Sequence, residues 1–455
     1  MAIDVQNLLA PDLREMLQAN DTEGLKEFCE ALHPATVADI LQTLQPARAW
    51  EVLSHTSAQR QAEIFQYLPE AYQQRMIEAA SRERLAAIIE AMDPDDRVDL
   101  LKSIGEELQE AILPLVARAE REDIRKLLQY PEESVGAVMT TDYVALPEGT
   151  TVGAALERLR LLAPDRETIY YVYVVDRDRQ LVGVVSLRQL IMARPQTKLR
   201  DIMNRDLISV RVDEDKEAAA RTLARYDFIA LPVVDADGRL VGIITHDDVM
   251  DVLVEAATED VHRLGGVEPL AESYMQSRIT TVAWKRGVWL AILFVAELGT
   301  RHILAWGDMV FRELFLLYAF LPLIMSSGGN SGSQSATLIT RALALGEIGP
   351  RDWWRVLWRE LLMGTILGLL LGALVVAEAL VEADAALELV PVVASTLAAV
   401  VLCGTLIGSL LPLVLRSLRL DPGIASSPFV ASVMDVVSTV ILITVAQAVL
   451  AMTHA

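Results

Sequence analysis

FIALPVVDADGRLVGIITHDDVM at residues 228–250 repeats the pattern of YYVYVVDRDRQLVGVVSLRQLI at residues 170–191. In each copy an apolar strand leads through an aspartate-containing turn to a second strand with a Val-Gly pair, and a helix follows. The segments before them, residues 136–159 and 200–223, match each other in the same way. Because order and spacing recur twice, the sequence predicts two copies of one small α/β unit.

The repeat resembles a tandem pair of CBS domains, a regulatory module found beneath many transporters and enzymes. We place the pair at residues 131–255, with its copies at about 136–195 and 199–255. The resemblance implies a regulatory role for this part of the chain.

The second copy also carries a candidate nucleotide site. Its string GIITHDD resembles the pattern by which CBS modules hold a ribose, and Thr245 and Asp248 fit that pattern. Tyr171 and Phe228 supply aromatic rings that could stack on a base. ATP is therefore a candidate ligand of the pair.

Residues 1–130 carry apolar side chains at spacings of three and four, which is typical of amphipathic helices. The strings HPATVADILQTLQP, LPEAYQQRMIEAA and MDPDDRVDLLKSI each combine a proline near a helix start with acids and an apolar stripe. Such loosely repeated units predict an all-α superhelical domain. An irregular helical bundle is the alternative.

Charge is unevenly distributed along the chain. The formal net charge of −22 is concentrated before about Ser277, and the rest is mostly apolar. This acidity argues against nucleic acid as a partner, because nucleic-acid binding needs basic patches. Cys29 and Cys403 lie in different halves, so no disulfide framework is expected. The N-terminus lacks the basic and apolar regions of a signal peptide.

Residues 281–455 contain five apolar segments that are each about 20 residues long, the length needed to span a membrane. Lys285 and Arg286 precede the first span, and further Lys or Arg residues lie between the second and third spans and between the fourth and fifth, whereas none occurs from Leu361 to Leu415. By the positive-inside rule, we expect a cytoplasmic N-terminus and an external C-terminus. An acidic helical connector is predicted at residues 256–280. The predicted spans are residues 284–306, 314–339, 356–380, 389–415 and 424–450.

Two of these spans are unusually polar. PLIMSSGGNSGSQSATLITRAL covers residues 322–343, and DPGIASSPFVASVMDVVSTVILI covers residues 421–443. Small and hydroxyl side chains allow close helix approach and interhelical hydrogen bonds, so tight packing is one interpretation. Asp435 favours function, because an aspartate in mid-span costs about 2.5–3.5 kcal/mol on insertion.

Over essentially its whole length the chain resembles the MgtE family of magnesium transporters. The resemblance rests on PLI-x-x-x-GGN-x-G-x-QSAT in the second span, on DP…SSPF…D in the fifth, and on the acidic connector after the CBS pair. It implies a multidomain homodimer in the cell inner membrane, with a helical N domain, a CBS pair, a connecting plug helix and five spans. It also implies selective Mg²⁺ conduction that closes when Mg²⁺ binds among the cytoplasmic domains.

The resemblance further implies a set of ion-binding residues. Asp435 and the backbone carbonyl of Ala431 match the ion site of the pore, and Asp421 matches an acid at the cytoplasmic start of the fifth span. The chain departs from the family pattern at Ser427 and Ser438, where some members have Asn and Gly. The acids that match the regulatory domains are Asp248, Asp251, Glu255, Glu259, Asp260, Glu217, Asp227, Asp95, Asp96 and Asp99.

The expected gating mechanism follows from charge. Two carboxylates about 4 Å apart repel by about 4 kcal/mol at an effective dielectric constant of about 20. Without cations the facing acids would therefore separate and the pore would open, and Mg²⁺ would shift the population toward the closed state. Conduction is expected to be downhill, because the chain has no GxxxxGK[ST] motif.

Two other functions remain open from the sequence. A secondary exchanger of a divalent cation against Na⁺ or H⁺ would use Glu297 and His302 in the first span. Glu297 also has a simpler explanation, because Arg301 lies one turn further and could neutralise it. A membrane sensor whose CBS pair binds nucleotide is the second alternative. No nucleophile–base or metal-ligand cluster in the sequence indicates an enzyme.

Overall fold

The computed structural model describes residues 5–162, 168–270, 274–275, 277–307, 317–381 and 389–453. The chain divides into two compact units, Met1–Ala256 and Ala257–Ala455. Short helices and strands make up the first unit, and long apolar helices make up most of the second. This is the multidomain fold class that the sequence predicts.

Short helices form the N-terminal part of the first unit. They are α1 (Val5–Ala19), α2 (Thr22–Ala31), α3 (Pro34–Leu41), α4 (Pro46–Leu53), α5 (Ala58–Gln66), α6 (Glu70–Ala79), α7 (Arg82–Ala91), α8 (Pro94–Ser103), α9 (Glu106–Ile112) and α10 (Arg118–Leu127). Prolines at the first helical position begin α3, α4 and α8, where the missing N–H costs nothing. Helices two apart in sequence pack together, α1 on α3 on α5 on α7 on α9 and α2 on α4 on α6. This layered stacking confirms the superhelical prediction.

Two three-stranded sheets follow, one from each repeat. Their strands are β1 (Ala145–Pro147), β2 (Tyr171–Val175), β3 (Leu181–Ser186), β4 (Val210–Arg211), β5 (Ala230–Val234) and β6 (Leu240–Thr245). In each sheet the first strand pairs in parallel with the second, and the second pairs antiparallel with the third. The register shifts at the equivalent place, after Val174 and after Val233. The helices of the repeat are α11 (Val152–Leu162), α12 (Leu187–Met192) and α13 (Lys216–Tyr226).

The Val-Gly pairs of the repeat mark a reciprocal contact between its copies. A Cβ added at Gly242 would lie 2.6 Å from the sulfur of Met139, and one added at Gly183 would collide with the sulfur of Met203. Each copy thus places its methionine against the glycine of the other. Only glycine leaves room for that methionine, which explains why both features recur in the sequence.

The connecting helix differs from its predicted bounds. It is observed as α14 (His246–Leu264), which begins directly after β6 rather than at residue 256. Gly266, with φ of 69°, ends it. The N–H of Gly266 donates to the carbonyl of Arg263, and the N–H of Val267 donates to that of His262. This is the hydrogen-bond pattern of a Schellman motif, so the helix cannot continue to residue 280.

Five helices of 27 to 29 residues dominate the second unit. They are α15 (Ile279–Trp306), α16 (Leu317–Ala344), α17 (Trp353–Val381), α18 (Val390–Ser417) and α19 (Ser427–Thr453). Among the described residues, α15, α17, α18 and α19 contain segments long and apolar enough to cross a membrane. The Gly-, Ser- and Asn-rich stretch of α16 lowers its hydropathy, so the second span stays a prediction.

Helix α18 is the centre of this bundle. It packs against α16, α17 and α19, whereas α15 packs against α19. The shared core includes Val400 and Val401 of α18 together with Val430 and Met434 of α19. Cys29 and Cys403 are both free thiols, as the sequence predicts.

Candidate metal sites

Glycines let α16 and its neighbours meet at backbone distance. A Cβ added at Gly408 of α18 would collide with the carbonyl oxygen of Gly332 of α16. Gly329 faces α19 with slightly more room, because a Cβ added there would be in ordinary contact with the Cβ of Ala431 at 3.4 Å. The glycine string of α16 therefore lies directly beside the predicted pore residue Ala431.

Hydroxyl groups of α16 join the helix to the rest of the bundle. Ser331 Oγ donates to the carbonyl oxygen of Val401 at 3.1 Å, and Ser333 Oγ donates to that of Ser427 at 3.1 Å. In a membrane such bonds satisfy groups that lipid cannot. The tight-packing interpretation therefore accounts for these serines, but it does not account for Asp435.

Asp435 lies half-buried in α19, one turn after Ala431. Its side chain is within hydrogen-bonding reach of the carboxyl group of Glu297 on α15. The hydroxyl of Thr439 donates to the backbone carbonyl of Asp435 at 2.8 Å. Glu297 thus faces Asp435, and no ion pair joins it to Arg301 in the part of the chain that the structure describes. The structure does not support simple neutralisation by Arg301.

Asp421 lies at the start of the turn before α19 and is paired with an arginine. One of its oxygens accepts the N–H of Gly423 at 2.8 Å. The other lies 2.9 Å from Arg263 of α14, and Arg263 also lies 2.8 Å from Glu259. A guanidinium group therefore joins two carboxylates that the family resemblance assigns to metal ions.

A second group of acids forms around the contact between α8 and α14 in the first unit. Val98 of α8 shares a buried core with Val249 and Val252 of α14. Carboxyl groups surround this apolar contact, and the carboxyl group of Asp95 of α8 lies within hydrogen-bonding reach of that of Asp248 of α14. We call this group the acidic junction; its members are Asp93, Asp95, Asp96, Asp99, Asp247, Asp248 and Asp251.

Burial and like charge raise pKa values throughout the acidic junction. The pKa of Asp96 rises to about 7, because the group is buried and because Asp93, Asp248, Asp99 and Asp247 lie near it. These neighbours all carry the same charge, so the cluster holds an excess of negative charge. Such an excess favours binding of a proton or a cation.

The pKa of Asp248 is also raised, but a hydrogen bond partly opposes the rise. Burial is the main cause that raises its pKa to about 6, and Asp247 adds to it. The hydroxyl of Thr245 opposes this shift by donating to Asp248 Oδ2 at 2.5 Å. The pKa of Asp99 and of Asp251 is raised as well, chiefly by partial desolvation, although both side chains are exposed.

Two lysines form ion pairs with acids in and beside the acidic junction. Lys216 Nζ lies 3.7 Å from Glu133 and 3.5 Å from Glu255 of α14. Lys102 lies 3.4 Å from Asp99. A cavity of about 500 Å³ opens here, and its lining includes Asp96, Asp99, Glu132, Lys216 and Glu255. The predicted ligand Glu255 is therefore already paired with an ammonium group.

Three other predicted ligands are placed differently. Glu217 pairs with Arg221 on its own helix at 3.2 Å. Asp227 ends α13 in a left-handed conformation with φ of 52°. Asp260 is exposed on α14. The role of these three residues as ligands stays a prediction.

The predicted nucleotide residues fall into two groups. Thr245 and Asp248 are bonded to each other at the end of β6. Phe228 precedes β5 in the same sheet, and its ring stacks on Tyr226 with centroids 5.7 Å apart. Tyr171 begins β2 of the other sheet and packs against an apolar cluster. Only the first three residues lie at one end of a single sheet.

No three Asp, Glu, His or Cys side chains among the described residues converge closely enough to hold a metal ion. Mg²⁺ keeps several waters and commonly binds through one or two carboxylates. The pairs Asp435–Glu297 and Asp95–Asp248 have the composition of such sites. Sequence reasoning missed Asp93, Lys216 and Arg263; only Arg263 had a local signal, its spacing of four residues from Glu259.

The raised pKa values predict a pH dependence of the first unit in the absence of metal. The folded state holds a proton on Asp96 more tightly than the unfolded chain, because its pKa is about 7 rather than 3.8. Stability should therefore fall as pH rises from about 4 to about 7. Asp96→Asn should raise the free energy of unfolding of the EDTA-treated soluble half at about pH 8 by up to about 4 kcal/mol, and its melting temperature should rise with it.

Glu217→Gln is the matched control, since Glu217 is exposed and paired with Arg221. Calorimetry of both variants would check the prediction. An Asp96→Asn variant that melts at or below the wild-type temperature at about pH 8 would contradict it.

The sequence of this chain matches described families along most of its length. Residues 321–445 match the MgtE divalent cation transporter model, residues 32–133 match the MgtE intracellular N domain, and residues 135–195 and 199–255 match the CBS domain. The magnesium transporter MgtE of Thermus thermophilus is 40% identical over 455 residues, which is 97% of this chain and 99% of that protein. The chain belongs to the MgtE family.

Other MgtE proteins and structures agree. The magnesium transporter MgtE of Bacillus subtilis is 29% identical over 95% of both chains. The soluble part of a magnesium transporter is similar in structure, with a TM-score of 0.53 and 34% identity, and it covers 55% of this chain and 99% of its own. The cytosolic domain of the Mg²⁺ channel MgtE in complex with ATP has a TM-score of 0.51 and 41% identity, covering 54% and 100%. These relatives are named as transporters and channels, and this MgtE chain is not an enzyme.

Proposed function

We propose that this chain is a magnesium channel of the cell inner membrane that internal Mg²⁺ closes. The observation that carries the proposal is the carboxylate of Asp435, set in an apolar helix beside the glycine string of α16. Mg²⁺ is a hard cation that binds through one or two carboxylates and retains its waters. The relatives named as magnesium transporters support the same ion.

A second copy of the chain would complete the pore. One chain supplies one Asp435, and a homodimer would supply two carboxylates across its axis. Helix α15 supports this assembly, because Thr300 is its only buried residue in the described structure. The faces of α15 left exposed by its own chain are available to lipid or to the second copy. By the distribution of Lys and Arg, the N-terminus is cytoplasmic and the C-terminus external.

The acidic junction is the proposed sensor. Asp95 is buried, Asp96 and Asp248 are half-buried, and like charges lie near them, so the metal-free arrangement is destabilised by its own charge. Mg²⁺ bound there would stabilise the contact between α8 and α14 and shift the population toward that contact. Lys216 and Arg263 already neutralise Glu255 and Glu259, so we place the regulatory ions at the acidic junction.

Current recording tests conduction and gating together. The purified chain in a planar bilayer, with a Mg²⁺ gradient and no gradient of any other cation, should pass current that disappears as cytoplasmic Mg²⁺ rises. Asp251→Asn should need more cytoplasmic Mg²⁺ to close, because it removes binding energy from the closed state. Glu157→Gln, an exposed acid on α11, is the control. An exchanger would move Mg²⁺ only with a matching counter-flow of Na⁺ or H⁺.

We also propose that the CBS pair binds ATP. The arrangement of Thr245, Asp248 and Phe228 at one end of the second sheet supports this, as does the relative solved in complex with ATP. A ligand that binds only the folded state raises the melting temperature. Millimolar ATP should therefore raise the melting temperature of the chain, and Phe228→Ala should reduce the shift. An equal shift in wild type and variant would place the nucleotide elsewhere.

A further inference from the structure

Helix α15 touches the rest of its own chain along a single stripe. Thr300 is buried and Trp289, Leu293, Glu297 and Leu304 are half-buried, and these residues recur at spacings of three and four. Most residues on its other faces are exposed. This is the stripe by which an amphipathic helix packs against a neighbour, and α15 packs against α19.

The position of Glu297 on this stripe requires a physical explanation. Ionisable residues inside a membrane are expensive and usually mark an ion path or a pairing partner. Glu297 does not lie on the exposed faces of α15, and Arg301 forms no ion pair with it among the described residues. The side chain instead reaches Asp435 across the contact between α15 and α19.

Two buried hydroxyl groups lie one turn further along the same two helices. Thr300 is 4% exposed and Ser438 is 0% exposed, and neither hydroxyl oxygen has a hydrogen-bond partner within the described residues. A Cβ added at Gly328 of α16 would lie 2.6 Å from Ser438 Oγ, so that hydroxyl points toward the glycine string. Buried hydroxyls without partners commonly indicate that a water or a ligand completes them.

We propose that Glu297 is a second acidic residue of the ion path, which positions the carboxyl group of Asp435 and adds a second negative charge per chain. The hydroxyls of Thr300 and Ser438 bind waters of the hydrated cation at the same level. The inference rests on the proposed role of Asp435. A second negative charge strengthens the preference for divalent over monovalent cations. The attraction between each fixed charge and the ion is twice as large for an ion of charge +2 as for one of charge +1.

Mg²⁺ flux into liposomes that hold the full chain tests this role. Glu297→Gln keeps the shape of the side chain and removes its charge. We expect it to raise the half-saturating Mg²⁺ concentration about tenfold and to lower the preference for Mg²⁺ over Na⁺. Glu360→Gln is the matched control: Glu360 is a carboxyl of α17 that accepts a hydrogen bond from Ser335 at 2.9 Å, and glutamine can still accept it. A residue that only packs would change stability without changing ion preference.

Asp435→Asn, measured beside it, separates this inference from the proposed function. If Asp435→Asn conducts like wild type, the pore assignment itself is wrong. If Asp435→Asn is inactive while Glu297→Gln keeps wild-type half-saturation and ion preference, Glu297 has no part in the ion path. Should Glu297→Gln fail to fold, Glu297→Asp provides the test. It keeps the charge but shortens the reach of the side chain to Asp435. We therefore expect it to keep the preference for Mg²⁺ over Na⁺ and to raise the half-saturating Mg²⁺ concentration. Wild-type half-saturation in Glu297→Asp would overturn the positioning role.

Discussion

Asp435→Asn is expected to reduce Mg²⁺ uptake to the background of a strain that lacks magnesium transporters, while the protein still folds and inserts. Asparagine has the shape of aspartate, so the packing around Thr439 and Ala431 is kept. The charge that attracts and holds a hard cation is lost. Growth of the strain in low magnesium, together with the amount of protein in the membrane, measures both outcomes.

The control for this experiment is Glu347→Gln, which removes a carboxylate that is exposed outside the long helices. It should support growth as wild type does. If Asp435→Asn also supports wild-type growth, the ion path does not run past this residue. That result would favour the alternatives of an exchanger or a membrane sensor.

Gly408→Ala is expected to have the largest effect on the stability of the membrane bundle. A methyl group at this position would collide with the backbone carbonyl of Gly332, and backbone cannot move aside as a flexible side chain can. Overpacking of this kind typically costs about 1–3 kcal/mol, and we expect the upper end because two helices must separate. Thermal unfolding of the purified protein, followed by size-exclusion chromatography, would measure the loss.

Gly299→Ala is the matched control, because nothing lies within 4 Å of a Cβ added there. Alanine favours helix over glycine by about 1 kcal/mol, so this variant should melt at or above the wild-type temperature. Equal melting temperatures for Gly299→Ala and Gly408→Ala would show that α16 and α18 are not in backbone contact in the membrane.

Most of the fold could be predicted from local sequence patterns. The repeat was visible because Gly183 and Gly242 must each leave room for a methionine, so sequence and contact repeat together. The helices of the N-terminal region were visible through proline and apolar spacing. The end of α14 was also encoded locally, in Gly265 and Gly266, but the predicted connector extended the helix to residue 280. The span status of α16 does not follow from hydropathy, because its polar stretch faces other helices rather than lipid.

The candidate sites were only partly predictable. Asp435 stood out because a charge in an apolar segment is unusual by itself. The partners of the predicted acids could not be found in this way, since Lys216 and Glu255 are 39 residues apart and Arg263 and Asp421 come from different elements. Contacts of this kind depend on how the helices pack. The same holds for Glu297, whose partner Asp435 lies on the last helix of the chain.

The pairing of α15 with α19 also has a consequence for the order of synthesis. A ribosome makes α15 first among the five long helices and α19 last, yet these two contact each other. Until α19 emerges, the stripe of α15 that carries Glu297 and Thr300 lacks the helix that it packs against. An insertion machinery must therefore shield an acid in a nascent membrane helix while three further helices are made. The ion path would be the last part of the protein to form, and a chain cut short before α19 would leave that acid without Asp435 beside it.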